Sequence, residues 1–160
     1  LIALVYWMVD GFLEGWLVWT TLIKQFVVGV FAGSFLVIPI HELFHGLAYK
    51  ILGAKKIKFG ADLQQLIFYV TADRFPVASK ELYFLALLPF AAINMVILTV
   101  AIIWVPQLIF LLGFFLFAHN IMCIGDFAIV NFAHKETGNV YSYDEIELKK
   151  SFFYKRVHVL

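Results

Sequence analysis

The chain has 160 residues, of which 63% are hydrophobic and 18% aromatic against 14% charged, and its mean hydropathy is +0.91. Soluble domains carry about a quarter charged residues, so this balance excludes an ordinary soluble enzyme and indicates a polytopic membrane protein. The net charge of +1 says little, no nucleic-acid partner is expected, and Cys123, the only cysteine, rules out an intrachain disulfide.

The chain opens on Leu1 rather than methionine, so its true start is expected upstream. Residues 1–24 read as an interfacial helix or a partial span. Asp10 and Glu14 interrupt an apolar run flanked by Trp7, Trp16 and Trp19, and tryptophan beside charge marks a membrane–water interface. Between Gln25 and Tyr49 the only formal charge is Glu42. About 25 residues of helix are long enough to cross a bilayer, which gives a first span over 25–49. Pro39 removes a backbone hydrogen bond inside it and predicts a kink. "GVFAG", residues 29–33, has the small-residue spacing that packs helices closely inside a multi-span protein.

Residues 50–81 form a basic loop with Lys50, Lys55, Lys56, Lys58, Arg74 and Lys80. In it, "KKIKF" and "QLIFYVT" predict two short strands around a polar turn, "GADLQQ", as a small hairpin at the membrane surface. From Leu82 to Ala133 the only formal charge is Asp126, and the stretch holds two spans, 82–104 and 107–133, parted by "WVPQ". Residues 134–160 make a polar tail with Lys135, Lys149, Lys150, Lys155 and Arg156. The expected fold is a single membrane-embedded domain over 1–160. It is all-α, with at least three transmembrane helices and the surface β-hairpin. The positive-inside rule puts the basic loop and tail in the cytoplasm.

"HELFH", residues 41–45, sets His41 and His45 on one helical face, where both imidazoles reach one metal ion. Glu42 is one step round the helix and can touch a water on that metal without ligating it, as the H-E-x-x-H chemistry requires. Each central charge in a span costs at least about 2.5 kcal/mol, so three polar side chains within five residues need a cavity or a partner. A catalytic zinc takes three protein ligands. Asp126 is the first choice for the third, because His41 precedes Lys50 and Asp126 precedes Lys135 by the same nine positions, roughly 13 Å of helical rise. His119 and Cys123 are the rival ligands. Asn94 and Asn120 suit interhelical hydrogen bonds or the holding of a substrate backbone, and His119 is a further candidate for substrate contact.

"HELFHGLAYKILG", followed two spans later by "HNIMCIGD", resembles a bacterial membrane family of zincin peptidases related in plan to the site-2 intramembrane metalloproteases. The resemblance runs from about Phe26 to the tail. It implies His41, His45 and Asp126 as zinc ligands and Glu42 as the catalytic acid/base. "LLPFAAIN", residues 87–94, is similar to the small-residue, proline and asparagine signature on the middle span of site-2 proteases. Gly125-Asp126 departs from the Asp-Gly order of those enzymes, and no proline precedes it closely, so their substrate handling is not carried over. The expected activity is a membrane-embedded, zinc-dependent endopeptidase acting on a transmembrane or juxtamembrane peptide bond, in a bacterial cell membrane, with the active site towards the cytoplasm. Its partners are a membrane protein or peptide substrate and the lipid bilayer. The alternative is a non-catalytic zinc-binding module, an accessory or immunity subunit that binds a peptide. A histidine-box di-iron oxidase is disfavoured by having three histidines in spans.

Overall fold

The computed structural model describes residues 2–15, 17–62, 67–103, 108–135, 140–145 and 150–155. The expected "WVPQ" turn, the middle of the hairpin turn at 63–66, Trp16, Lys149 and Arg156 lie outside the described residues. The elements in order are α1 (Ile2–Leu13), α2 (Trp19–Phe31), a π-helical segment (Ala32–Leu36) and α3 (Ile38–Ile51). Next come β1 (Ile57–Asp62), β2 (Ile67–Ala72), β3 (Val77–Ala78), α4 (Ser79–Ile103), α5 (Ile109–Met122), α6 (Ile124–Lys135), β4 (Val140–Glu145) and β5 (Lys150–Lys155). Two helical runs, Trp19–Ile51 and Ser79–Ile103, are long and apolar enough to cross a membrane, and α5 with α6 makes a third if the pair counts as one span. A π-helical turn stands just before Pro39, where the sequence predicts a kink. Pro39 lacks an amide to give to the Phe35 carbonyl, and the Val37 amide instead reaches back five residues to the Ala32 carbonyl, at 3.0 Å.

The chain divides into two compact units. The first takes Leu1–Val37 and Asn94–Ile121. Its close contact is the one the small-residue spacing suggested. A Cβ built on Gly29 would stand 2.5 Å from the Leu111 carbonyl oxygen, and one on Gly33 would collide with the Phe115 carbonyl, so only glycine lets these backbones meet. Beside them the buried Gln25 side chain accepts from the Leu111 amide at 3.0 Å. That amide lies in the first turn of α5, where the helix itself supplies no acceptor.

The second unit takes Ile38–Ile93 and Met122–Leu160. Its core gathers Ala48, Tyr49, Ala72, Val77, Leu82, Leu85 and Ala133. The hairpin forms as an antiparallel pair with Phe59 opposite Val70 and Gly60 opposite Tyr69. Gly60, Ala61 and Asp62, read from sequence as turn, extend β1, and the Tyr69 ring covers the bare Gly60 across the pair. The hairpin lies on α3 at Gly46, where an added Cβ would sit 2.9 Å from the Phe59 ring. α4 starts with Glu81 accepting from the Ala78 amide at 2.7 Å, half of a capping box.

Within the polar tail, residues 140–145 and 150–155 form strands that the sequence reading did not foresee. β4 pairs with β3 on one side and β5 on the other in a three-stranded sheet. "VYSYDE" and "KSFFYK" supply alternating aromatics that stack across the strands, Tyr141 on Tyr154 at 5.5 Å and Tyr143 on Phe152 at 5.3 Å. The expected 107–133 span is also interrupted, at Cys123, where α6 begins anew with Asp126 in its first turn. Gly33→Val should lower stability by about 1–3 kcal/mol, read as a lower Tm in detergent. Gly113→Ala, whose added Cβ meets nothing within 4 Å, should leave the Tm unchanged or slightly raised.

Candidate active site

The site described here lies wholly within the second unit. On α3, His41, His45 and Tyr49 recur every four residues and share a face. The Nε2 atoms of His41 and His45 are 3.1 Å apart. The Asp126 carboxylate, brought in by the first turn of α6, sets Oδ2 3.2 Å from His41 Nε2 and Oδ1 3.3 Å from His45 Nε2. The two imidazoles are 12% exposed and the carboxylate 14%. A Glu42 carboxylate oxygen and a nitrogen from each histidine lie within 4.8 Å of one another. The backbone amide of Val70, on β2, faces the Glu42 carboxylate.

His45 is oriented from behind. Its Nδ1 lies 3.0 Å from the Leu85 carbonyl oxygen. A carbonyl only accepts, which assigns the proton to Nδ1 and leaves the Nε2 of the neutral ring with a bare lone pair. The Leu85 carbonyl is available because of Pro89. In a helix that carbonyl would accept from the amide four residues on, and Pro89 has none. His41 meets the Cys123 sulfur with its other nitrogen, Nδ1, at 4.0 Å, so the thiol stands behind the ring rather than at Nε2.

Three potential electron-pair donors therefore face one another at 3.1 to 3.3 Å, an arrangement that a shared proton or metal cation stabilises. Ligand atoms held at tetrahedral angles about 2.0–2.1 Å from zinc stand about 3.3 Å apart. Donor types and spacing both fit zinc, and the carbonyl behind His45 is the outer partner that a metal-ligating histidine takes.

A cleft of about 220 Å³ opens beside the triad, lined by Glu42, His45 and Asp126 and by side chains of β2, α4, α6, β4 and β5. Asp144, on β4, is its third carboxyl-bearing residue. It accepts from Tyr49 Oη at 3.2 Å, Thr71 Oγ1 at 2.7 Å and Ser151 Oγ at 2.6 Å. Sequence reasoning singled out none of these four, nor the Leu85 carbonyl. Tyr49 could have been found as the next residue along the face of His41 and His45, and Leu85 from its place four before a proline. Asp144 carried no local signal. The remaining expected residues belong to the first unit. His119 is fully buried on α5, and Asn94 and Asn120 exchange amide hydrogen bonds at 2.8 and 3.2 Å.

A family model described as "Putative zincin peptidase" matches residues 34–141, which takes in His41, Glu42, His45, Leu85 and Asp126 and stops within β4. No curated protein matches the chain, and no solved structure does.

Metal analysis tests the triad. The purified chain should carry zinc and Asp126→Ala should lose it, and unchanged occupancy would transfer the third-ligand role to His119 or Cys123. Pro89→Ala restores a competing amide for the Leu85 carbonyl and should weaken zinc by about tenfold in a chelator competition, the size of effect seen for outer-shell partners.

Proposed function

The chain belongs to the zincin peptidase family, and on that premise we propose that it is a zinc-dependent endopeptidase working within a membrane. The observation that carries the reading is the triangle of His41, His45 and Asp126, closed to 3.1–3.3 Å with Glu42 beside it at the mouth of a cleft. His41 Nε2, His45 Nε2 and the Asp126 carboxylate would hold the ion. When bound, zinc supplies a Lewis acid that polarises a peptide carbonyl and brings the pKa of water down towards about 7. Glu42 takes the proton from the attacking water as its oxygen bonds to the carbonyl carbon. Glu42 then delivers that proton to the amine nitrogen as the carbon–nitrogen bond breaks. The Leu85 carbonyl keeps the His45 ring in one tautomer and orientation throughout.

The membrane part of the proposal is supported by α3 itself. Ile40, Leu43, Leu47 and Ile51 are exposed while His45 and Tyr49 line the cleft, so the apolar row suits lipid and the polar row an internal cavity. The proposed substrate is a transmembrane or juxtamembrane segment, cleaved towards the cytoplasmic side of a bacterial cell membrane. β2 offers it a guide. The Val70 amide reaches Glu42, so it points away from β1. By strand parity the Phe68 amide lies along the same outer edge, beside the cleft that the Phe68 side chain lines. An extended substrate pairing there would be delivered to Glu42 by strand addition.

Glu42→Gln should retain zinc and lower turnover of a membrane-extracted proteome by at least about a hundredfold. Retained function in that variant would favour the non-catalytic peptide-binding module. Phe68→Pro deletes an outward amide without touching the β1–β2 ladder, and should raise KM while metal content stays constant. Cleavage unchanged in a folded Phe68→Pro protein excludes the strand-addition route.

A further inference from the structure

β4 and β5 have two unlike faces. One carries the stacked Tyr141, Tyr143, Phe152 and Tyr154. The other turns Ser142, Asp144, Ser151 and Phe153 into the cleft beside Glu42 and Asp126. Among these, Phe153 stands out physically. It is 45% exposed although it lines an apolar part of the cleft. It is also held edge-on to Phe132 of α6, with ring centroids 4.7 Å apart, and α6 is the helix that carries Asp126. A large ring fixed to the helix of the triad and left partly uncovered beside the reacting groups is placed to meet a substrate side chain.

The rest of the face explains how the ring is kept there. Asp144 gathers a hydroxyl from α3 (Tyr49), one from β2 (Thr71) and one from β5 (Ser151). The Arg74 amide gives a further hydrogen bond to the Asp144 carbonyl at 2.8 Å. Charge-assisted hydrogen bonds to one carboxylate thus tie three elements of the cleft wall together. The family match ends at residue 141, so Asp144, Ser151 and Phe153 lie beyond the matched segment.

We infer that the β4–β5 hairpin is the side-chain-selecting wall of the cleft, with Phe153 as the specificity-determining residue and Asp144 as the positioning residue that latches the wall. The class selected is a peptide with an aliphatic side chain of leucine size next to the scissile bond. Phe153, Phe68, Leu82, Leu85 and Ile129 all line the cleft, and their apolar side chains suit an aliphatic one. The inference rests on the peptidase reading for the position of the scissile bond, but the selection can be read from binding alone.

The test uses the full chain, zinc-loaded in detergent, and a series of short fluorescent peptides that differ at one position from Ala through Val and Leu to Phe and Trp. Wild type should bind the Leu peptide best. Phe153→Ala should move the preference towards Phe and Trp by about tenfold or more, the discrimination a hydrophobic pocket gives, at unchanged zinc content. Phe153→Leu, the milder change, should shift it in the same direction and by less. Asp144→Ala should flatten the ranking, and Asp144→Asn, which keeps one acceptor oxygen, should fall between it and wild type. A purely structural role would lower all peptides together and leave their order intact, and an unaltered order in the folded Phe153 variants overturns the inference. Hydrolysis of the same peptides separates the two readings. Reordered binding without hydrolysis sinks the peptidase and keeps the wall, hydrolysis with unaltered order does the reverse, and no binding by wild type removes both.

Discussion

Two imidazole nitrogens and a carboxylate within 3.3 Å of one another are the constraint that the second unit answers to. Each brings a lone pair or a negative charge into a setting that is largely apolar, and left alone they repel. A shared cation turns the same proximity into attraction, because low dielectric strengthens whatever charge pairing it contains. Much of the local architecture is intelligible as the support of that contact. Asp126 opens a helix instead of continuing one, which places the carboxylate at the end where the backbone dipole favours negative charge. Pro89 leaves a carbonyl uncommitted in the middle of α4, and His45 uses it.

Around this centre, helices and strands divide the labour. α3 and α6 hold the three donors, since rigid helices fix a position better than loops do. The strands build the walls. β2 brings a backbone amide to Glu42, and β4 and β5 bring a carboxylate and an aromatic ring to the cleft. The walls are joined to α3 by side chains, through Tyr49 to Asp144 and through the contact of Phe59 with Gly46. A change in the hairpin or the distal sheet therefore reaches the helix of the histidines through these contacts among others.

Part of this was legible in the sequence because some letters speak for themselves. "HELFH" puts its histidines on one face whatever the surroundings, the lone Asp126 stands out against its apolar neighbours, and the runs "KKIKF" and "QLIFYVT" read as strands. The distal sheet was not legible. Its lysines and glutamates suggest a solvated tail, and its partner β3 is two residues long and lies some sixty positions away. The Leu85 carbonyl is a backbone atom and has no letter of its own. The polar residues of the apolar spans were legible as unusual but not as to use. Asn94 and Asn120, considered for substrate, bond to each other, a pairing that needs both helices in place before it can be seen.

The second unit is built from two separated lengths of chain, Ile38–Ile93 and Met122–Leu160. The histidines belong to the first and Asp126 to the second, with α5 threaded between them. On the ribosome, then, His41 and His45 emerge long before their third companion, and a half-made set of donors holds a metal poorly. Loading has to wait until Asp126 has emerged and α6 has formed, so α3 is made before the full set of donors can hold an ion.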